Sequence, residues 1–437
     1  MEGEQQGQSR VSTTVHSHRR RRLCTTVFLA IVLVIRYHQY AYDTIMATRI
    51  RNADLSGYTQ SIFLPYVHPF SSEEIPIVQT TVNGIDIDMP VDTGSTGLLI
   101  GAPLLPDIDP TEGTKIYHYL TSSTILYIGR LVSVSVTFHG SLGSSAVARV
   151  PALIVDESFR CPWYNPKKDT DRCPRGPNGE EAERRDTRKI TYMGIGFGRN
   201  KAGSGQPNAT PGCNPFLNII YVNGTAVSRG ALRSGYIIST RGVDIGLTTA
   251  NTRGFLFASL EPGVTHREDS RDWAMVRANL SINGKGGRPG YGLVDTGIPQ
   301  MYIRAEDGVS IPTVMIPNPD PNGTAEEVER VKPGTRIGIG ALSSGREQVM
   351  EYSFVVGKGA SKMEPCFVKE GRQTPPPFVN TGRNFFFGYD VAFDAAGGRF
   401  GFRAAMYHVE WPQRNTVVRF LATHVSWSGI RPGMDGL

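Results

Sequence analysis

The sequence predicts a mostly β protein assembled from two related halves, and three observations carry that expectation. Val-Asp-Thr-Gly occurs twice, in MPVDTGSTGLL at residues 89–99 and in GLVDTGIPQMY at residues 292–302. Each copy follows an apolar, strand-like stretch and places Gly where the chain must turn. Gly (49) and Pro (29) punctuate short Val/Ile/Phe/Thr runs, as expected of strands separated by turns. Heptads of the kind that build long helices are absent. At 437 residues the chain exceeds one ordinary core, and roughly 150 residues per domain leaves room for two large domains.

The N-terminal elements speak about compartment. Arg10, Arg19, Arg20, Arg21, Arg22 and Arg36 stand against Glu2 and Glu4, so +4 of the net +6 lies in residues 1–36 and the body is nearly neutral. No nucleic-acid partner is expected, and the RRRR run in the basic region 1–22 reads as a topological signal. It abuts Leu23–Ile35, an apolar stretch whose helix would rise about 20 Å against a hydrocarbon core of about 30 Å. Residues 23–35 therefore read as a signal peptide h-region or a short single-pass signal anchor, basic flank cytoplasmic. Either way the following residues enter the lumen of the secretory pathway, for secretion or as a type II membrane protein. Residues 36–69 read as a stalk or short propeptide.

Four sequons, at Asn208, Asn223, Asn279 and Asn322, point to the same route as glycosylation candidates. Apart from Cys24, the cysteines number four, which suits two disulfides with three possible connectivities. The pairing expected is Cys161 with Cys173, closing a short polar loop, and Cys213 with Cys366. Metal is not expected, since no His stands at ligand spacing from these cysteines.

Along the body, IPIVQTTV and IDIDMPV flank Asn83-Gly84, a hairpin turn signal. Tyr119–Phe138 reads as a second hairpin, and residues 156–190 as a solvated, Pro-rich insertion. TYMGIGFGR at 191–199 reads as a buried strand, with further short strands in GYIIS, RGVDIGL and GFLFASL joining the halves. The first half spans 70–258 and the second 259–405, with a C-terminal extension at 406–437.

One Asp-Thr-Gly is an ordinary turn signal, but two after apolar strands suggest one carboxylate from each half. Two carboxyls facing each other cannot both ionise, so they share a proton; one then polarises a carbonyl while the other activates a water. Gly allows close backbone approach, and Thr can hydrogen-bond across to the other turn.

With these residues the chain resembles the pepsin-like aspartic protease family from about residue 70 to residue 405. Asp92-Thr93-Gly94-Ser95 is similar to its first motif and Asp295-Thr296-Gly297 to the core of its second. Tyr119 stands where the family keeps its flap tyrosine, with Thr121, Ser123 and Gly129 following at the family's spacing. GIGFG at 194–198 and the stretch from Gly382 through Phe393 and Asp394 are similar to later landmarks, the last including a terminal helix. The resemblance implies a bilobal double β-barrel with an active-site cleft between lobes related by a pseudo-twofold axis. It further implies an aspartic endopeptidase: Asp92 and Asp295 activate water, Ser95 steadies Asp92, Thr93, Gly94, Thr296 and Gly297 support the catalytic loops, and Tyr119 covers the substrate. The implied partner is a peptide or protein substrate, the chain acts as a monomer, and no cofactor or metal is required.

Departures from the pattern accompany the resemblance. Ile298 stands where the family has Ser or Thr, so the second carboxylate is expected to lack its outer hydrogen bond. Leu99 replaces a Trp, Leu120 and Ser122 replace flap glycines, and Asn380-Thr381 replaces an apolar pair. Apolar surface beside Asp295 disfavours its charge, so a weakly acidic rather than strongly acidic optimum is expected. The rival expectation is a catalytically inert pepsin-fold protein that binds a peptide or glycan in the lumen or at the cell surface.

Overall fold

The computed structural model describes residues 55–405, apart from 121–122, 167, 200–206, 229, 319–324, 345, 360, 366–367 and 371–375. The described chain is mostly β, as the sequence predicts, and its helices are short 3-10 turns. The family-like terminal helix expected after Gly382 is one of these, the five-residue Arg383–Phe387.

The largest sheet closes on itself. Ser145–Arg160, Thr96–Gly101, Thr191–Ile195, Ile85–Asp92, Ile77–Val82 and Ile125–His139 lie side by side, and the last pairs back onto the first. Alternation drives the closure: Val132, Val134, Val136 and Phe138 are buried while Ser133 and Ser135 between them face solvent. Asn83 and Gly84 form the predicted turn, both with positive φ (48° and 88°), which suits the twist of a two-residue hairpin. An eight-stranded sheet holds the second acidic motif. Its main path runs through Gln348–Val355, Arg336–Leu342, Val276–Ile282, Gly290–Leu293, Phe378–Asn380, Met301–Arg304 and Val368–Glu370.

A common unit recurs in these two sheets. Ile85–Asp92 runs parallel to Thr191–Ile195, which in turn pairs antiparallel with Thr96–Gly101, with Leu99 opposite Tyr192. Gly290–Leu293 runs parallel to Phe378–Asn380, which pairs antiparallel with Met301–Arg304, with Tyr302 opposite Asn380. Each Asp thus ends or follows a strand seated on a middle strand, and Tyr192 and Asn380 occupy matching positions on the two middle strands.

A six-stranded sheet gathers Ile62–Pro65, Gly242–Ile245, Tyr236–Ser239, Tyr389–Asp394, Arg399–Ala404 and Leu256–Ser259 from across the chain. Its aromatic layer includes Tyr236 stacked on Phe393 at 4.7 Å and Phe393 against Phe400 at 4.6 Å. Within the stretch read as a stalk or short propeptide, residues 62–65 form a strand whose Ile62 and Leu64 are buried against the body.

The region 156–190 is less solvated than its composition suggests. Residues 156–160 extend the long strand, and the Cys161–Cys173 disulfide is present. Trp163 and Tyr164 from its loop pack with Tyr117, Tyr119, Leu126 and Ile128 on one face of the Thr114–Leu120/Ile125–His139 hairpin. The loop thereby braces the hairpin near its tip. Replacing both cysteines with Ser should cost about 3 kcal/mol, the loop-closure value for a loop of this size. Equilibrium unfolding in denaturant measures it.

Cys213 is buried, and Cys366 lies outside the described residues, as do Asn322, Thr121 and the apolar segment 23–35. Among the described residues no helix is long and apolar enough to cross a membrane. Asn223 is exposed in a turn and Asn279 half-buried in a strand. Asn208, one of the glycosylation candidates, is fully buried with its Oδ1 3.2 Å from His118 Nδ1, and a glycan has no room there in the folded chain.

Candidate active site

Asp92 and Asp295 come together at the meeting of the two Val-Asp-Thr-Gly turns. Thr93 N–H donates to Thr296 Oγ1 and Thr296 N–H donates to Thr93 Oγ1, each at 3.0 Å. The same hydroxyls donate to Val294 O at 2.7 Å and Val91 O at 2.5 Å. Both threonines are fully buried, so these reciprocal bonds run in a dry, low-dielectric setting where they hold the turns in one register.

The glycines explain how close the acids are. A β-carbon on Gly94 would lie 2.3 Å from the Asp295 carboxylate atoms, and one on Gly297 would lie 2.5 Å from Asp92 Oδ1. Each carboxylate therefore rests over the opposite turn, in space that only glycine leaves open. Gly94→Ala or Gly297→Ala should each lower stability by about 1–3 kcal/mol through overpacking, read as a drop in Tm.

Each carboxylate is held by its own turn. Gly94 N–H donates to Asp92 Oδ1 and Ser95 Oγ–H to Asp92 Oδ2, both at 2.7 Å. Gly297 N–H donates to Asp295 Oδ1 at 2.7 Å, and Asn380 Nδ2–H donates to Asp295 Oδ2 at 2.6 Å. This last bond corrects the expectation from Ile298. The second carboxylate has an outer donor after all, supplied from the middle strand and fixed in turn by the Gly382 N–H donating to Asn380 Oδ1 at 3.0 Å.

Tyr192, at the position matching Asn380, serves the first carboxylate. Burial, then the Asp92 charge, holds its phenol well above the ordinary range, and its hydroxyl engages the side chains of Ser95 and Asp92. It also packs with Leu99, Leu120, Ile116 and Ile125, joining the hairpin to the acidic turn. Tyr119 does not take this place. Its ring packs 4.4 Å from Tyr164 and its hydroxyl donates to Cys161 O at 3.0 Å, on the hairpin face that the disulfide loop covers. The face bearing Ile116 and Leu120 is the one directed at Leu99 and Tyr192.

Asp92 is 8 % exposed and Asp295 5 %. The Asp295 carboxyl is pushed up to about 7 by burial first and Asp92 second, against the opposing pull of Asn380, Gly297 and Arg199. The direction matches the sequence expectation, but burial of the whole group and the facing carboxylate produce it. Such a pair can carry one proton and one charge across a wide pH range, offering an acid and a base at one point. Among the described residues no cluster of His, Cys, Asp and Glu forms a metal site. No family model matches the chain, and no curated protein matches it.

Proposed function

We propose that the chain is an aspartic endopeptidase with a bilobal, pepsin-like arrangement, cleaving peptide bonds with a water held between Asp92 and Asp295. The observation that carries this reading is the mutual seating of the two carboxylates over each other's glycines, locked by the Thr93–Thr296 bonds. At working pH the ionised member takes a proton from the water, and the protonated member donates to the scissile carbonyl oxygen. Ser95 and Asn380 keep the outer oxygens occupied, leaving the inner ones for water and substrate. The substrate is a peptide or protein segment, met in the lumen of the secretory pathway or at the cell surface.

A second reading, peptide binding without turnover, draws support from the braced hairpin, whose Tyr119 is tied to Cys161 rather than available to a substrate. Incubating the full chain with a quenched peptide library from pH 2 to pH 8 separates the two. Cleavage peaking in the weakly acidic range, about pH 4 to 6, and blocked by pepstatin is expected for a dyad with a raised pKa. A peak below about pH 3 contradicts the assigned charge state, and peptide retention without products favours the binding reading.

A further inference from the structure

Arg383 is the largest of the fully buried side chains, and it lies directly behind the second acidic turn. Its backbone N–H donates to Ile298 O at 2.9 Å, its Nε–H to Thr296 O at 2.6 Å and its Nη1–H to Ser72 O at 2.7 Å. Those partners are neutral carbonyls. The other buried arginines that carry ion pairs are matched at close range: Arg399 with Asp394 and Arg130 with Asp156. Among the described residues no carboxylate stands within ion-pairing distance of Arg383.

A guanidinium keeps its proton in proteins, and burying one without a counter-charge is strongly unfavourable. The negative charge that offsets it must be near but not in contact. The acidic groups acting on it are Asp295, then Glu73, Asp92 and Glu74, and Glu73 and Glu74 are exposed and so screened by solvent. That leaves the acidic pair as the effective counter-ion in the dry interior. Burial brings Arg383 down to about 10, which leaves it charged throughout the physiological range.

We propose that Arg383 is a positioning residue for the acidic pair: it clamps Thr296 and Ile298 from behind and supplies the buried positive charge that lets Asp92 and Asp295 hold one negative charge between them. The inference rests on reading the two acids as a proton-sharing pair. Coulombic attraction is mutual, so the cation that the pair stabilises must favour the pair's ionised form. Asp295 itself is acted on by burial first, then by the Asp92 charge, Asn380, Gly297 and Arg199, and it acts in turn on Arg383, Tyr192 and Tyr302. Arg199 is half-buried, whereas Arg383 is 2 % exposed and therefore acts through protein rather than solvent.

The test is the titration of Asp295, followed by its 13C carboxyl resonance in the full chain and assigned from the Asp295→Asn spectrum. Arg383→Gln keeps a donor for Thr296 but removes the charge, and the titration midpoint should rise by about one pH unit or more. Arg383→Lys keeps the charge but loses the forked geometry, and its midpoint should stay within about half a unit of the wild type while Tm falls. If Arg383→Gln fails to fold, Arg383→Gln combined with Asp295→Asn removes charge on both sides and should recover folding. An unmoved midpoint in folded Arg383→Gln, or no recovery in the double variant, overturns the proposal. Absence of peptide cleavage in the wild type, with the midpoint shift intact, would remove the peptidase reading and leave the charge coupling standing.

Discussion

Replacing Asp295 with Asn should cut peptide hydrolysis by about a thousandfold or more and, in the same molecule, remove one contribution to stability that the wild-type chain loses as pH rises from about 4 to about 7. The Asp295 carboxyl moves from 3.8 to about 7 on folding. Between those values the folded state binds more protons than the unfolded state, so stability is greatest below 3.8 and declines as pH rises through the folded value. At about 1.4 kcal/mol per pH unit the decline reaches at most about 4 kcal/mol. Asn at 295 has no charge to desolvate, so this slope disappears.

The variant should nevertheless start lower at pH 4. One oxygen of Asp295 accepts from Gly297 and the other from Asn380, so an amide at 295 must turn its own NH2 against a donor, at about 1–3 kcal/mol. The two stability curves should therefore converge as pH rises. His118 acts in the opposite sense: burial lowers it from 6.5 to about 4, so its contribution is lost as pH falls through that window. It is common to both proteins and cancels in the difference. Thermal unfolding at intervals from pH 4 to pH 8 measures the effect, and parallel curves would show that Asp295 titrates normally. Hydrolysis in the variant should fall by about a thousandfold or more, the scale of removing an essential acid or base.

The second large effect is expected at Asn380. Its amide contributes a hydrogen bond to a buried carboxylate, worth about 1.5–3 kcal/mol, so Asn380→Ala should lower kcat/KM by roughly ten- to a hundredfold. The pH profile should also move upward, because the lost donor favours the ionised form of Asp295. A compensating change is available. Ile298→Thr places a hydroxyl two residues past Thr296, where the resemblance to pepsin-like proteases has one, and should restore part of the lost rate in the Asn380→Ala background. Alone, Ile298→Thr should shift the profile towards acid. Kinetics of the single and double variants decide the matter: an Asn380→Ala enzyme within twofold of wild type would remove Asn380 from the site.

The sequence displayed the acids and their glycines because each sits in a short local motif whose geometry is set within four residues. The strands around them were visible for a similar reason, since alternation of burial leaves a period of two in the chain. The supports were harder to see. Asn380 reaches Asp295 across 85 residues through the parallel pairing of Gly290–Leu293 with Phe378–Asn380, and a register is invisible until strands are paired. Asn380 was visible as a departure from an apolar pair, but its partner was not. Tyr192 was obscured likewise, inside a stretch that reads as plain strand. The side on which Tyr119 packs was hidden too, because both faces of its hairpin are apolar: one packs on Leu99 and Leu153, the other under Cys161 and Tyr164. Alternation then cannot say which face looks inward. Asn208 sits in a sequon, a pattern that carries no information on burial.

Neutron diffraction from crystals of the full chain grown near pH 5.5 addresses the central claim most directly, because it locates protons on Asp92 and Asp295 and orients any water beside them. The account predicts one deuteron on the pair and one water hydrogen-bonded to both carboxyls. Two fully ionised carboxylates, or a gap filled by a side chain with no water bridging the two, would contradict it.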